Sequence, residues 1–376
     1  MLPKTTIDAP ESLGIHVLGA GKGESIVLAW PGNRWGVVDC YAPSLNDHNT
    51  NPTLRFLRSR GVSELEFLCL THPHDDHFRG MSQLLEHLNV KYFWRFPTIS
   101  ASDLKRMAKY MVGDTERGDV AELKENANDF VRTMTIVNER RKNDQIDQMM
   151  VNGNQQLYPV PFDQSAEFQI WGFAPHGNQL GHYEQALSAS FTAEGRLRPN
   201  LPHVSHNDIS VGLLVVFGKT RIVLGGDVEQ SAWADICPQH NREHFFVDAV
   251  KVPHHGSDTG FIPGLWGDLA GRKRPIAVIA PYSRFRLPKQ VALRHISQHA
   301  AKIMLTCDID LASAPCPVRP PLKSRMFIRT RLKARSPVPD GECGRCSLVY
   351  DSSGNCLDEE YAGPACEYVV ETEATE

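Results

Sequence analysis

Over the first quarter of the chain, apolar positions come in short runs broken by polar turns. LGIHVLG (13–19), SIVLAW (25–30) and WGVVDC (35–40) are rich in β-branched and aromatic residues. The turns GAGKGE and PGNR separate them, so the pattern predicts an antiparallel meander. Residues Asn51 to Arg60 read as a short helix with Leu54 and Leu57 inward and Gly61 as its stop. ELEFLCL (64–70) reads as a buried strand that delivers the chain to Thr71. Met81, Leu84, Leu85 and Leu88 then recur at helical spacing, and VKYFWRF (90–96) is another strand.

From about Thr98 to Asn200 the pattern changes. Val120, Leu123, Phe130, Met134 and Val137 predict a long amphipathic helix. The polar, Gly-spaced stretch Gly177 to Asn200 reads as a loop. Strands resume at EFQIWGF, VGLLVVFG, TRIVLGG, FFVDAVKVP and PIAVIAP, with a helix near Pro288 to His299 and a strand at KIMLT. Alternating strands and helices predict a layered α/β architecture. The expected division is 1–97 and 201–310 as two halves of one fold, 98–200 as a helical-plus-loop insertion, and 311–376 as a basic segment with a terminal hairpin.

Composition narrows the class. The 376 residues are 41% hydrophobic and 22% charged, as in a globular protein. No apolar run approaches a membrane span, and MLPKTTIDAPESLGI lacks the pattern of a signal peptide. Nine cysteines are too sparse for a disulfide framework, so a cytoplasmic, thiol-reduced protein is expected. The net charge of −4 hides an asymmetry: Gly271 to Arg335 carries 15 Lys plus Arg against Asp308 and Asp310, net +13, leaving −17 elsewhere. That segment reads either as a face for an anionic partner or as a solvated surface balanced by nearby acids.

The chemistry concentrates in THPHDDHFRG (71–80). His72 and His74 are two apart, so at a strand end their side chains point the same way and suit one metal. Asp76 and His77 follow as the chain turns into a helix and face a neighbouring position. Imidazole and carboxylate suit Zn²⁺, Mn²⁺ or Fe²⁺. Asp227, after the strand RIVLGG, is placed to bridge two cations. His254 and His255 end the next strand, where adjacent side chains diverge, so only one of them faces the metals. Gly256 permits a sharp turn that folds His255 back onto them. His255 is therefore assigned to the second cation and His254 to the substrate.

These motifs together resemble the metallo-β-lactamase superfamily of metallohydrolases. The resemblance is to the soluble hydrolase domain of bacterial DNA-uptake channel (competence) proteins and its stand-alone relatives. It rests on Gly21-Lys22-Gly23-Glu24-Ser25, Val38-Asp39, H-x-H-x-D-H, Asn207 to Ser210, Leu224 to Asp227, and Lys251 to Ser257, in that order over about residues 13 to 306 outside the insertion. It implies a four-layer αββα sandwich with two divalent ions, Zn²⁺ or Mn²⁺, at one edge. His72, His74, Asp76, His77, Asp227 and one of His254/His255 match the family's ligands, and Asp39 would orient the metal loop. Asn207 stands where the wider superfamily places a third histidine for the first metal, which leaves that site short of a ligand. His206, next to it, is expected to point the other way.

The expected function is metal-dependent hydrolysis, with phosphodiesters of nucleic acid favoured. Asp76 would orient the nucleophile, and His254 would hydrogen-bond a phosphoryl oxygen or protonate the leaving group. Ser257, Arg284 and Arg286 are candidate substrate contacts, the arginines reading equally as surface charge. The alternatives are a small-molecule phosphodiesterase, lactone or thioester hydrolase, and a metal-stabilised non-catalytic subunit. A regulatory protein is an expected partner through residues 98–200, and a membrane is not. Cys343, Cys346, Cys356 and Cys366 invite a zinc-ribbon reading, but the second half lacks a C-x-x-C knuckle, and a terminal hairpin of CSLVYD and ACEYVV about Ser352 to Asn355 fits better.

Overall fold

The computed structural model describes residues 11–98, 101–113, 119–239, 246–260, 274–307, 328–331 and 343–370. Two mixed sheets pack face to face with helices outside them. The first has eight strands: β1 (Leu13–Gly19), β2 (Glu24–Trp30), β3 (Arg34–Val38), β4 (Glu64–Leu70), β5 (Asn89–Arg95), β6 (Asp147–Met150), β15 (Gly344–Tyr350) and β16 (Cys356–Ala362). Their spatial order is β16-β15-β1-β2-β3-β4-β5-β6. The predicted meander forms β1 to β3, antiparallel, and β3 to β6 continue in parallel.

The second sheet has nine strands: β7 (Gln155–Tyr158), β8 (Phe168–Ala174), β9 (Gly212–Phe217), β10 (Thr220–Leu224), β11 (Ala249–Lys251), β12 (Ile276–Ile279), β13 (Lys302–Leu305), β14 (Ile328–Arg331) and β17 (Cys366–Val370). Here β10 to β13 are the parallel run. An aromatic stack ties the sheets at one end: Trp30 of β2 lies on Phe168 of β8 at 4.5 Å, while Phe67 of β4 stacks on its sheet neighbour Trp94 of β5 at 4.1 Å. Such rings bury large apolar areas and account for much of a sheet-on-sheet core.

The helices cover the outer faces. Helix α1 (Pro52–Ser59) starts where its sequence predicts: Pro52 opens it, and the Asn51 side chain accepts from the N–H groups of Thr53 and Leu54, both at 3.1 Å. A one-turn helix α2 (Asp75–Phe78) and α3 (Met81–His87) carry the His/Asp loop away from β4. Helices α4 (Ala101–Gly113) and α5 (Val120–Lys142) follow. Leu123, Phe130 and Val137 of α5 are buried as predicted, whereas Val120 at the first turn is exposed. On the second sheet, Trp233 and Ile236 of α7 (Gln230–Gln239) and Leu293 and Ile296 of α8 (Gln290–His299) pack with Val223, Val250 and Ile279.

Two expectations need correction. Gly177 to Ala189 is a helix, α6, rather than loop. Its glycines hid the pattern, but Gln179, Tyr183 and Leu187 are buried on one face and the Gln179 side chain accepts from the His176 N–H at 3.1 Å. The terminal hairpin is β15 and β16 about residues 351–355, and ACEYVV is not its second strand. That segment crosses to the other sheet as β17, beside β13. Cys346 and Cys366 are buried apolar-layer residues on these strands, and the cysteines form no metal-holding group among the described residues. Residues 98–200 contribute β6 to one sheet and β7 and β8 to the other. Much of the basic segment Gly271 to Arg335 lies outside the described residues.

Candidate metal centre

The parallel strands of both sheets end at the same edge, where open α/β sheets place their ligands. The chain leaves β3 at Asp39, β4 at Thr71, β10 at Gly225 and β11 at Val252. Asp39 adopts a left-handed backbone (φ 60). Its carboxylate accepts from the Thr71 N–H at 2.8 Å and the Thr71 hydroxyl at 2.7 Å, and meets His77 Nδ1 at 2.7 Å. It thereby fixes the start of the His/Asp loop and turns His77 Nε2 outward.

Two groups of side chains converge on Asp227. In the first, one ligand atom each from His72, His74 and Asp227 lies within 4.8 Å of the others. His72 Nε2 is 2.9 Å from His74 Nδ1 and 3.6 Å from Asp227 Oδ2. In the second, Asp76, His77, Asp227 and His255 meet the same limit. His77 Nε2 is 3.3 Å from Asp227 Oδ1, and His255 Nε2 is 3.1 Å from Asp76 Oδ2. The two groups share Asp227 through its two oxygens. His77 Nε2 and Asp227 Oδ1 are buried without a well-formed hydrogen bond. Orphaned polar atoms of this kind are costly unless a cation completes them. The donor set is nitrogen and carboxylate oxygen, which fits a divalent transition metal.

Electrostatics agree. Burial opposes ionisation of Asp227, but the His77, His254 and His255 imidazoles around it hold its carboxyl well below the usual range. Burial, reinforced by His77, keeps His72 neutral to unusually low pH. Burial works against a charged His77 too, yet Asp227, Asp39 and Asp76 hold its proton well above the usual imidazole range. A cation at this position takes the place of that proton.

The two histidines separate, though not by strand alternation. His254 (φ 48) and His255 (φ 52) both sit in a left-handed 3₁₀ turn. Non-glycine residues rarely adopt that region, and strain of this kind persists only when the surroundings enforce it. His255 is fully buried, with Nδ1 2.8 Å from the Ala280 carbonyl. His254 turns toward a cavity: its Nε2 is 3.9 Å from Asp227 Oδ2, and its Nδ1 is 3.0 Å from Glu229 Oε1.

Glu229 is a residue that sequence reasoning missed. Its Oε1 also accepts from Asn207 Nδ2 at 3.2 Å and from the Thr259 hydroxyl at 3.0 Å. Asn207 thus engages Glu229 through its amide nitrogen. His206 stands edge-on to His74 at 5.1 Å, and its Nδ1 pairs with the Tyr183 hydroxyl at 2.8 Å. Glu24 and Lys251 were also missed. They form a buried ion pair beneath the second group, with Glu24 Oε2 3.2 Å from His255 Nδ1. Both lie within quoted motifs, but only the fold brings them together.

The cavity above the site has a volume of about 610 Å³, and His74, Asn207, Glu229, His254 and Ser257 line its floor. Ser257, bonded to Thr259 at 3.0 Å, lies on this wall. The candidate arginines are placed otherwise. Arg284 pairs with Asp75 at 3.6 Å and Glu122 at 3.3 Å, which ties its loop to α2 and α5. Arg286 is exposed in left-handed backbone (φ 52), and neither arginine lines the cavity.

What these features define is a two-sheet α/β sandwich with a shared-carboxylate His/Asp centre at the strand ends. No family model and no curated protein matches the sequence. Among solved structures, the chain is similar to Zn²⁺-bound PqqB from Methylobacterium extorquens, with TM-score 0.39 and 11% identity over 78% of this chain and 97% of that one. It is similar to a new diphosphatase from the PhnP family at TM-score 0.36 and 10% identity, over 77% of this chain and 93% of that one. Hydrolase AbOPH of the β-lactamase superfamily matches at TM-score 0.31 and 14% identity, over 54% and 55%.

Proposed function

We propose that this chain is a metal-dependent phosphodiesterase of the metallo-β-lactamase type, with nucleic acid as its substrate class. The observation that carries the reading is the pair of ligand groups joined through the two oxygens of Asp227. Divalent ions held there supply Lewis acidity and lower the pKa of water. His72, His74 and Asp227 would hold one ion, and Asp76, His77, Asp227 and His255 the other. Ester hydrolysis forms one P–O bond from water and breaks another. The water loses a proton and the leaving oxygen gains one. Asp76, buried in the second group, would orient the water by accepting a hydrogen bond from it. His254 Nε2 faces the cavity and donates the proton to the leaving oxygen. Burial opposes that charge, but Asp227 and Glu229 raise the pKa of His254 above the usual imidazole value.

The +13 stretch Gly271 to Arg335 supports a polyanionic substrate. A small phosphodiester is the second reading, favoured by a cavity within the usual range of about 300–1,000 Å³ for small-molecule sites. The test is incubation of Mn²⁺- or Zn²⁺-loaded protein with single-stranded, double-stranded and circular DNA, and with bis(p-nitrophenyl) phosphate. Metal-dependent cleavage of DNA supports the first reading, and of the small ester alone the second. Loss of all cleavage in Asp227→Ala is expected. Full activity of that variant sinks the shared-carboxylate mechanism, and no cleavage by the wild type favours a binding subunit.

A further inference from the structure

The cavity has two unlike ends. Its floor is the His/Asp centre with His254. Its mouth carries the ring of Phe285, 42% exposed although large and apolar. That ring is not loose: it stands edge-on to Tyr282 at 5.5 Å, and Tyr282, itself buried, lies 5.1 Å from the His255 ring. Three rings therefore step from the metal centre to the mouth. Beside Phe285, the Lys289 ammonium donates to the Phe285 carbonyl at 3.0 Å and lines the same wall. Glu229 is the one carboxylate among the described lining residues, and its Oε1 is held by His254, Asn207 and Thr259. The wall thus offers an anion a cation and an engaged acid, and offers a planar apolar group a fixed, exposed ring.

We propose that this cavity is a single-nucleotide site, with the phosphodiester at the floor and the base against Phe285. The inference rests on the phosphodiesterase reading and adds to it the unit of substrate. Every base has a π-face, so one ring stacks any of them without reading sequence. Lys289, beside Phe285, adds a positive charge at the base end of the cavity. A pocket of this size holds one nucleotide, which places action at a strand end and on short nucleotides rather than within an uninterrupted circle.

The experiment uses the full, Mn²⁺-loaded chain and two chromogenic esters. Thymidine 5′-(p-nitrophenyl phosphate) carries a base; methyl p-nitrophenyl phosphate does not. Phe285→Ala should raise KM for the thymidine ester about tenfold, from the usual worth of one base–aromatic stack. It should leave the methyl ester unchanged, and Phe285→Trp should restore the thymidine ester. Equal changes on both esters, or none, overturn the proposal. Calorimetry with thymidine 5′-monophosphate reads the site even where neither ester turns over. Binding by the wild type, weakened about tenfold in Phe285→Ala, supports the nucleotide site while the hydrolytic reading fails; no binding, or equal binding, overturns it.

Discussion

At the scale of single residues, the candidate ligands that converge at the strand ends were legible because their spacing is local. His72, His74, Asp76 and His77 fall within one strand end and one helical turn, so residue types and periodicity place them on one edge. Glu229 was not legible. Its carboxylate means little beside Asp227 until the fold brings Asn207, Thr259 and His254 to it. For His254 and His255, alternation along a strand was the wrong reason, since both residues are left-handed. The backbone still sends His255 to Asp76 and His254 to Glu229. The variants should therefore separate. His255→Ala should lose bound metal along with rate, because it removes one of four donors in its group. His254→Ala should keep its metal and lose turnover by ~100-fold or more, as expected for a proton donor. Glu229→Gln should keep metal too and shift the pH profile of kcat downward, because the glutamate raises the pKa of His254. Metal analysis of the three proteins decides between these roles; a His254→Ala protein that arrives metal-depleted reverses the assignment.

At the scale of elements, strands with steady apolar runs were legible, and segments whose partners are distant were not. Helix α6 carries two glycines, each costing ~1 kcal/mol of helix propensity, and forms because Tyr183 and Leu187 are buried. ACEYVV looks like a hairpin partner in sequence, yet pairs with β13 across the molecule. The other tertiary strand contact gives a pH prediction. His16 of β1 is fully buried, 3.0 Å from the Ser347 hydroxyl of β15 and 4.8 Å from the Phe56 ring of α1. Burial, and then the Arg345 and Arg60 charges, push its pKa well below the ordinary 6.5. The folded state thus refuses a proton that the unfolded chain accepts below about pH 6.5. Stability must fall as pH drops through that value, by up to about 1.4 kcal/mol per pH unit from this group. His16→Gln should lose less stability than the wild type between about pH 6.5 and 5. Denaturant midpoints at several pH values test it, and parallel curves for the two proteins refute it.

At the scale of the whole molecule, the two sheets are joined beneath the site by one buried charge pair. Glu24 opens β2 in the first sheet and Lys251 closes β11 in the second, and their side chains are 0% and 1% exposed. The same carboxylate lies 3.2 Å from His255 Nδ1 and 3.8 Å from His77 Nδ1. It therefore spans both halves of the sandwich and backs two members of the second ligand group. The pair stands 227 residues apart in sequence, which is why periodicity gave no hint of it. Removing one partner of a buried pair leaves an uncompensated charge, at a cost of about 3–5 kcal/mol; removing both costs far less. Lys251→Met should accordingly destabilise the protein by about 3 kcal/mol or more. Adding Glu24→Gln to it should recover most of that loss, since the remaining amide carries no charge to strand between the sheets. A thermodynamic cycle over the two singles and the double measures the coupling. Metal content in the same proteins shows whether the pair matters to the site beyond stability. In the double variant His255 keeps its Ala280 carbonyl, so metal should be retained once the fold is restored. If Lys251→Met costs less than about 1 kcal/mol, the pair is not what binds the two sheets at this edge, and the aromatic stack of Trp30 on Phe168 at the other end must carry the joint.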